Sequence, residues 1–376
     1  MDRDLVIELP LSSIGQGCMG IGGEFVSDPT LSSEHIKSIR VGIDEGLTFL
    51  DTAEVYADGL SEELVGLAVH GRRPDVFLAS KFSPANNGFR QVIAAAERTL
   101  RRLNTDYLDL YQVHWPNPSV PIAETMAAMN KLVTDGKILH IGVSNFSVRE
   151  MSEAAANSTV RIFSNQVEYN LHDRFCELEM LPFCQQIGAF LVAYSPLNKG
   201  KGIVDQEQRK LVEDIALNYN ATAEQVQLSW LRARPGVIPI PKSSNPERIR
   251  QNAGALALSL SPADQDSVDQ HCRAPVHMIA PAEVEVSTSG DGNRPVYQTL
   301  AEALQNDLML TPSPSSLAVH LKEGDPIKPV RLRINRRSLS SQQYELVEGR
   351  LRYWAWVIAF GENHPLPALI SRDSER

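Results

Sequence analysis

Eight short apolar runs between Gln16 and Lys242, separated by helix-like stretches, constrain this 376-residue chain more than any other feature. They read QGCM (16–19), LTFLD (47–51), VFLASK (76–81), YLDLYQVH (107–114), LHIGVS ending at Ser144, SNQVEY (164–169), FLVAYS (190–195) and VIPIPK (237–242). Most are continuously apolar, as parallel strands covered on both faces must be. The segments between them carry helix punctuation. SSEHIKSIRVGIDEG opens on a serine cap signal, has Glu34 soon after and stops at Gly46. TAEQVQLSWLRARPG begins at the capping candidate Thr222 and ends at Pro235-Gly236.

Strand–helix alternation repeated eight times predicts an α/β fold, a (β/α)8 TIM barrel over residues 1–273. The opening LVIELPLSS would be a hairpin closing the barrel floor. The pattern breaks at Ala274, where APVHMIAPAEVEVSTSGDGNRP, rich in Pro, Gly, Ser and Thr, marks the way into a second module over 274–376.

Composition narrows the function class. The chain is 43% hydrophobic and 22% charged, enough for a sizeable core. Its formal net charge of −10 argues against a general nucleic-acid or anionic-membrane coat. From Pro281 to Arg376 there are 11 basic and 12 acidic residues, so the acidic excess belongs to the first module. The first residues lack a basic-then-apolar signal, and no apolar run approaches the roughly 18 residues of a spanning helix, so a cytoplasmic protein is expected. Cys18, Cys176, Cys184 and Cys272 show neither CxxC spacing nor paired histidines, so neither a disulfide framework nor a metal site is expected.

In such a barrel, chemistry sits at the C-terminal strand ends. The polar residues there are Asp51, Lys81, His114, Ser144 with Asn145, Gln166, Tyr194 with Ser195, and Lys242, while Tyr56 follows Asp51 by five residues. Read singly, Asp51 and Lys81 are equally a buried structural ion pair, and His114 beside Trp115 a satisfied core histidine.

FLDTAEVYADGLSEELVG, ASKF, LYQVHWP, IGVSNF, NQVEYN, AYSPL and IPIPKSSNPERIRQN, in that order, resemble the aldo-keto reductase superfamily over about residues 5–271. The resemblance implies a metal-free carbonyl reductase acting on a small-molecule aldehyde or ketone, or running the reverse oxidation. Tyr56 would be the general acid, Lys81 and Asp51 its tuning pair, and His114 an orienting donor to the carbonyl oxygen. A tyrosine is a poor acid at neutral pH unless its surroundings help, which is the task of the lysine and aspartate. Ser144, Asn145 and Gln166 resemble residues that bind a nicotinamide carboxamide, and Tyr194 the ring that stacks on it. Cys18, Met19, Ser195 and Leu197 belong to the same cofactor set. Lys242 and Arg248 match cations that bind a 2′-phosphate, with Ser243, Gln251 and Asn252 supplying the remaining contacts. NADPH is therefore expected over NADH. LNKGKGIVDQEQRK after Pro196 is shorter than the loop many relatives close over the dinucleotide, and Gly200 and Gly202 suggest a tight turn there.

The second module carries a strand-like IKPVRLRI, another strand YELVEG, a helix RLRYWAWVIAF with a C-cap-like Gly361, and a last strand HPLPALIS. This order resembles the ParB N-terminal and sulfiredoxin-like fold, a small α+β domain over about 276–372. That resemblance implies a phosphate or nucleotide box, ATP or CTP, at Gly349, Arg350 and Arg352. Leu351 departs from it, and Arg350 stands where sulfiredoxin has its cysteine. The opposing reading is a helix packed on a strand pair through Tyr353, Trp354 and Trp356. Lys328, Arg331, Arg333, Arg336 and Arg337 would bind DNA or a nucleotide, or guard an edge strand, with nucleic acid not favoured. Three functions follow: a reductase with a phosphate-binding appendage, a redox sensor in which NADPH occupancy controls a DNA- or nucleotide-binding tail, and a tail that is itself a kinase or nucleotidase.

Overall fold

The computed structural model describes residues 11–203, 205–273, 275–286, 297–306, 308, 312–335 and 342–371. The chain divides into two compact units, Met1–Cys272 and Arg273–Arg376. The expected N-terminal hairpin falls almost wholly outside the described residues.

Eight strands form the first unit's sheet: β1 (Gln16–Gly17), β2 (Phe49–Asp51), β3 (Phe77–Phe82), β4 (Leu108–Val113), β5 (Ile138–Ser144), β6 (Ile162–Glu168), β7 (Phe190–Tyr194) and β8 (Val237–Pro239). They pair in chain order and all in parallel. The ring closes where Gly15 N–H donates to the Pro239 carbonyl (2.9 Å), Gly17 N–H donates to the Pro241 carbonyl (3.0 Å), and Gly17 bridges Lys242 in parallel. Pro239 and Pro241 lack amide protons, which ends β8 earlier than the apolar run suggests. A Cβ on Gly15 would stand 2.8 Å from both Ile240 Cγ2 and the Phe49 carbonyl, so β1 closes on β8 only with glycine there.

The helices are α1 (Ser32–Asp44), α2 (Leu60–Val69), α3 (Phe89–Leu103), α4 (Ile122–Thr134), α5 (Val148–Ala156), α6 (Met180–Ile187), α7 (Gln206–Asn218), α8 (Ala223–Arg232), α9 (Pro246–Gly254) and α10 (Pro262–His271). Thr222 caps α8 as expected, in a capping box with Gln225, and Ser147 with Glu150 does the same for α5. At α1 the serine cap is displaced. Asp28 caps a 3-10 turn over Pro29–Leu31 that runs directly into the helix, and Leu31 precedes α1 without a side-chain cap.

The barrel interior is apolar at its floor, where Phe49, Phe77, Leu110, Phe163, Val192 and Ile238 pack together, and polar above it. Outside the barrel, the fully buried Trp230 lies under two guanidinium groups, with Arg234 3.8 Å and Arg174 4.9 Å from its ring centroid. Asp269 accepts from Trp230 Nε1 (3.2 Å), from Arg174 (2.8 Å) and from Arg234, so one carboxylate of α10 ties that helix to α8 and to the segment before α6.

The second unit has a mixed five-stranded sheet in the order β10 (Val284–Glu285), β12 (Tyr344–Glu348), β11 (Val330–Ile334), β13 (Leu366–Ser371), β9 (Val276–Ile279). Its helices are α11 (Leu300–Gln305), α12 (Pro314–Lys322) and α13 (Arg350–Phe360). The strand, strand, helix and strand read from the sequence are present, with Gly361 at the end of α13. Tyr353, Trp354 and Val357 pack on Val330, Leu332, Leu346, Leu366 and Ala368. Trp356 is half-buried and donates to the His364 carbonyl (2.9 Å).

This geometry bears on the expected phosphate box. Gly349 caps α13 in the left-handed region, as a box glycine would. Arg350, however, is 1% exposed and belongs to the packed interior. Arg352 donates to the Lys328 (2.9 Å) and Pro329 (2.7 Å) carbonyls and so fastens the start of β11. The two arginines do not form a pair of forks facing solvent. The basic stripe is likewise neutralised in part, since Arg331 pairs with Glu348 (3.3 Å) and Arg333 with Glu345 (2.5 Å) across the β11–β12 ladder. Arg336 and Arg337 lie outside the described residues.

Candidate active site

A polar layer crosses the throat of the barrel. Inward positions two residues apart on each strand put Asp51 above Phe49, Lys81 above Ala79 and Gln112 above Leu110. Lys81 Nζ donates to Asp51 Oδ2 (2.7 Å) and the Thr52 carbonyl (2.9 Å), and lies 3.3 Å from the Tyr56 hydroxyl. Tyr56 is held by the turn after β2, where Ala57 N–H donates to the Glu24 carbonyl (2.9 Å) and Ser27 Oγ donates to the Ala57 carbonyl (2.7 Å). The His114 ring stands edge-on to Tyr56, centroids 5.8 Å apart. Asp51, Lys81 and His114, singled out from strand ends, and Tyr56, from the loop after β2, are thus brought together.

Burial dominates the electrostatics. It pushes the Tyr56 phenol above its ordinary value, with the Lys81 charge pulling the other way and Asp51 adding to the rise. Burial opposes the Lys81 charge as well, but Asp51 and then Tyr56 outweigh it and hold the ammonium above the usual lysine range. The lysine is therefore charged and aimed at a phenol that keeps its proton. Burial, helped by the Lys81 charge, drives His114 down to about 3, so its imidazole is neutral in ordinary buffers.

Beside this cluster the expected cofactor residues form a connected rim. Ser144 Oγ donates to the Gln166 carbonyl (2.9 Å), and Asn145 Nδ2 donates to Ser144 Oγ (2.9 Å) and the His114 carbonyl (3.1 Å). The Tyr194 hydroxyl donates to Asn145 Oδ1 (3.2 Å). Asn145 sits at φ +61°, a left-handed position that asparagine tolerates, which turns its amide back along the strand ends. Cys18 is fully buried at the end of β1, with its thiol pushed up to about 12 by burial; Met19, Ser195 and Leu197 are half-buried. Gln166 departs from expectation in part, because its Nε2 donates to Asp51 Oδ1 (2.9 Å).

Past β8, Asn245 caps α9 by accepting from the Glu247 (2.9 Å) and Arg248 (3.2 Å) amides. Lys242, Arg248 and Gln251 are exposed, Ser243 and Asn252 buried. Neither Lys242 nor Arg248 pairs with a carboxylate among the described residues. Two cations with no carboxylate partner among the described residues, beside a helix start, suit a phosphate group.

Two residues of the site were not singled out from the sequence. Gln112, fully buried, donates to Asp51 Oδ1 (3.1 Å); counting back two from His114, the residue just past β4, would have found it. Glu54 accepts from the Ser83 amide (2.7 Å), from Asn86 Nδ2 (2.6 Å) and from Arg98 (3.3 Å), clamping the loop after β3 to the one that carries Tyr56. No strand-end count reaches a loop carboxylate of that kind.

Comparison with known proteins agrees with this geometry. Residues 13–273 match the model of the aldo/keto reductase family. Methylglyoxal reductase YeaE of Escherichia coli is 40% identical over 273 residues, 71% of this chain and 93% of that protein. Glyoxal reductase of Bacillus subtilis is 36% identical over 240 residues, 63% and 83% of the two chains. A crystal structure of an aldo/keto reductase from Klebsiella pneumoniae in complex with NADP and acetate superposes with a TM-score of 0.66 at 37% identity, covering 70% of this chain and 93% of that one. With its motifs, its closed parallel barrel and these matches in agreement, the chain belongs to the aldo/keto reductase family.

Proposed function

We propose that this chain reduces small reactive carbonyl compounds, of the α-oxoaldehyde class that includes methylglyoxal and glyoxal, with NADPH. The observation that carries the reading is the chain of contacts from Asp51 through Lys81 to the Tyr56 hydroxyl beside a neutral His114. Bound NADPH supplies a hydride to the carbonyl carbon. Tyr56 delivers the proton to the carbonyl oxygen, an acceptor far more basic as an alkoxide than a phenolate, so a phenol above its ordinary value still serves. Lys81 stabilises the phenolate left behind, and Asp51 keeps Lys81 charged and aimed. His114 donates a hydrogen bond that orients the carbonyl. Ser144, Asn145 and Gln166 would hold the carboxamide, Tyr194 the ring face, and Lys242 with Arg248 the 2′-phosphate. Cys18, Met19, Ser195, Leu197, Ser243, Gln251 and Asn252 complete the proposed groove.

For the second unit the ParB/sulfiredoxin likeness is a proposal about fold alone, supported by the mixed sheet and the glycine start of α13. Binding of ATP, CTP or DNA forms no part of it, because Arg350 is buried and Arg331, Arg333 and Arg352 have structural partners.

The test follows NADPH oxidation by the full chain with methylglyoxal, glyoxal and a panel of larger aldehydes. Tyr56→Phe should lose about 10²–10⁴-fold in kcat while still binding NADPH. Undiminished turnover in that variant would sink the reading.

A further inference from the structure

Asp51 is 2% exposed and its two oxygens have separate duties. Oδ2 faces Lys81, while Oδ1 accepts from Gln166 (2.9 Å) and Gln112 (3.1 Å). A carboxylate free to turn about its Cβ–Cγ bond would exchange the two oxygens and swing away from the ammonium; two amide donors on Oδ1 prevent that. The donors differ in kind. Gln166 sits at the end of β6 among the residues proposed to grip the cofactor, so its amide has a second claim on it. Gln112 is fully buried in the middle of the polar layer, in register with Lys81 on β3 and Gly142 on β5.

The wall is shaped around this side chain. A Cβ on Gly142 would stand 2.9 Å from Gln112 Cγ and 3.0 Å from Ser164 Oγ, so glycine there leaves the room in which Gln112 folds back toward Asp51. Gln112 Oε1 and Ser164 Oγ are both buried without a hydrogen-bond partner among the described residues. An acceptor left unpaired in a protein interior costs about 1–3 kcal/mol, so the position is held in spite of a local penalty. Leucine or methionine would fill the volume without it.

We infer that Gln112 is a positioning residue of the reaction: it locks the Asp51 carboxylate so that Oδ2 faces Lys81, and so sets the aim and charge of the lysine behind Tyr56. The inference rests on the functional reading above. It makes Gln112 the constant donor to Asp51, independent of how Gln166 is engaged.

The test uses Gln112→Met and Gln112→Glu in the full chain, with Tyr56→Phe run in parallel. Gln112→Met keeps the volume and removes the donor. Its kcat for methylglyoxal should fall about tenfold, part of the 10²–10⁴-fold that a positioned acid contributes, with NADPH affinity unchanged within about twofold. The alkaline limb of kcat should move to lower pH, because a carboxylate that swings from Lys81 no longer holds the ammonium, and with it the phenol, as far above their ordinary values. Gln112→Glu gives a sharper readout. Protonated, the new carboxyl can still donate to Asp51 Oδ1; ionised, it repels Asp51. The ratio of its kcat to that of the unaltered protein should therefore rise as pH falls. If Gln112→Met fails to fold or to bind NADPH, this pH-dependent ratio decides alone. Wild-type kcat and pH profile in Gln112→Met, or a flat ratio in Gln112→Glu, overturns the inference. Full activity in Tyr56→Phe overturns the functional reading instead, so the two failures are distinguishable.

Discussion

Lys81 Nζ and Asp51 Oδ2 meet at 2.7 Å in the barrel throat, with side chains 0% and 3% exposed. Such a pair is costly to assemble and more costly to break, since removing one partner leaves the other charge buried and alone. The contact bears on folding and, in the proposed reaction, on chemistry, and the two can be separated by experiment.

Lys81→Met should therefore lower unfolding free energy by about 3–5 kcal/mol as well as abolishing turnover, measured by denaturant unfolding. Asp51→Asn should destabilise in the same sense. Because the folded state holds Lys81 above its ordinary value, this contribution is complete at neutral pH. It is lost only as pH rises through the raised folded value, so the unaltered protein should lose stability in strong alkali more steeply than Lys81→Met.

His114 predicts the opposite limb. Its folded value of about 3 lies below the ordinary 6.5, so as pH falls below 6.5 the unfolded chain gains a proton that the folded one refuses. Stability from this residue should drop by up to about 1.4 kcal/mol per pH unit, levelling off near 3. Comparing thermal unfolding of the native chain and His114→Asn across this acid range isolates the term: the acid limb of stability should flatten in the variant, while its kcat falls at neutral pH through loss of the hydrogen bond.

Arg248→Ala should weaken NADPH binding by about tenfold or more, the loss of one charge-assisted hydrogen bond, and leave NADH binding nearly unchanged. Fluorescence titration with both dinucleotides reads the difference. Equal losses for the two would place the 2′-phosphate elsewhere.

Trp230→Ala should destabilise the barrel unit by about 3–5 kcal/mol, because it removes a fully buried indole and also the surface on which Arg174 and Arg234 lie. Trp230→Phe keeps the ring but loses the bond to Asp269, and should cost about 1 kcal/mol beyond the change in packing. Turnover of the folded fraction should be unaffected in both.

The barrel was legible because parallel strands, buried on both faces, leave unbroken apolar runs, and each run ends in the polar residue that caps the throat. Asp51, Lys81 and His114 are found by that count, and Tyr56 by the motif around it. Strand lengths were less legible: β8 ends at Pro239, short of the apolar run, because Pro239 and Pro241 cannot donate to the ladder. Gln112 was hidden inside an apolar run, where a lone amide reads as filler until the strand's inward face is fixed. In the second unit the order of elements was legible, but not which arginines are buried. A guanidinium next to a glycine reads as a phosphate ligand, and only the helix's rotation on the sheet shows Arg350 turned into the core.

The seam between the first and last strands has a consequence for how the ring opens. Gly15 and Gly17 donate across it to the carbonyls of Pro239 and Pro241, and neither proline has a proton to return. Every other junction of the barrel joins strands without a proline facing the ladder at two successive donor positions. The backbone amides of Gly15 and Gly17 are thus the clasp of the barrel, and in deuterated water they should be the first of the amides that bond neighbouring strands of the ring to trade their protons with solvent.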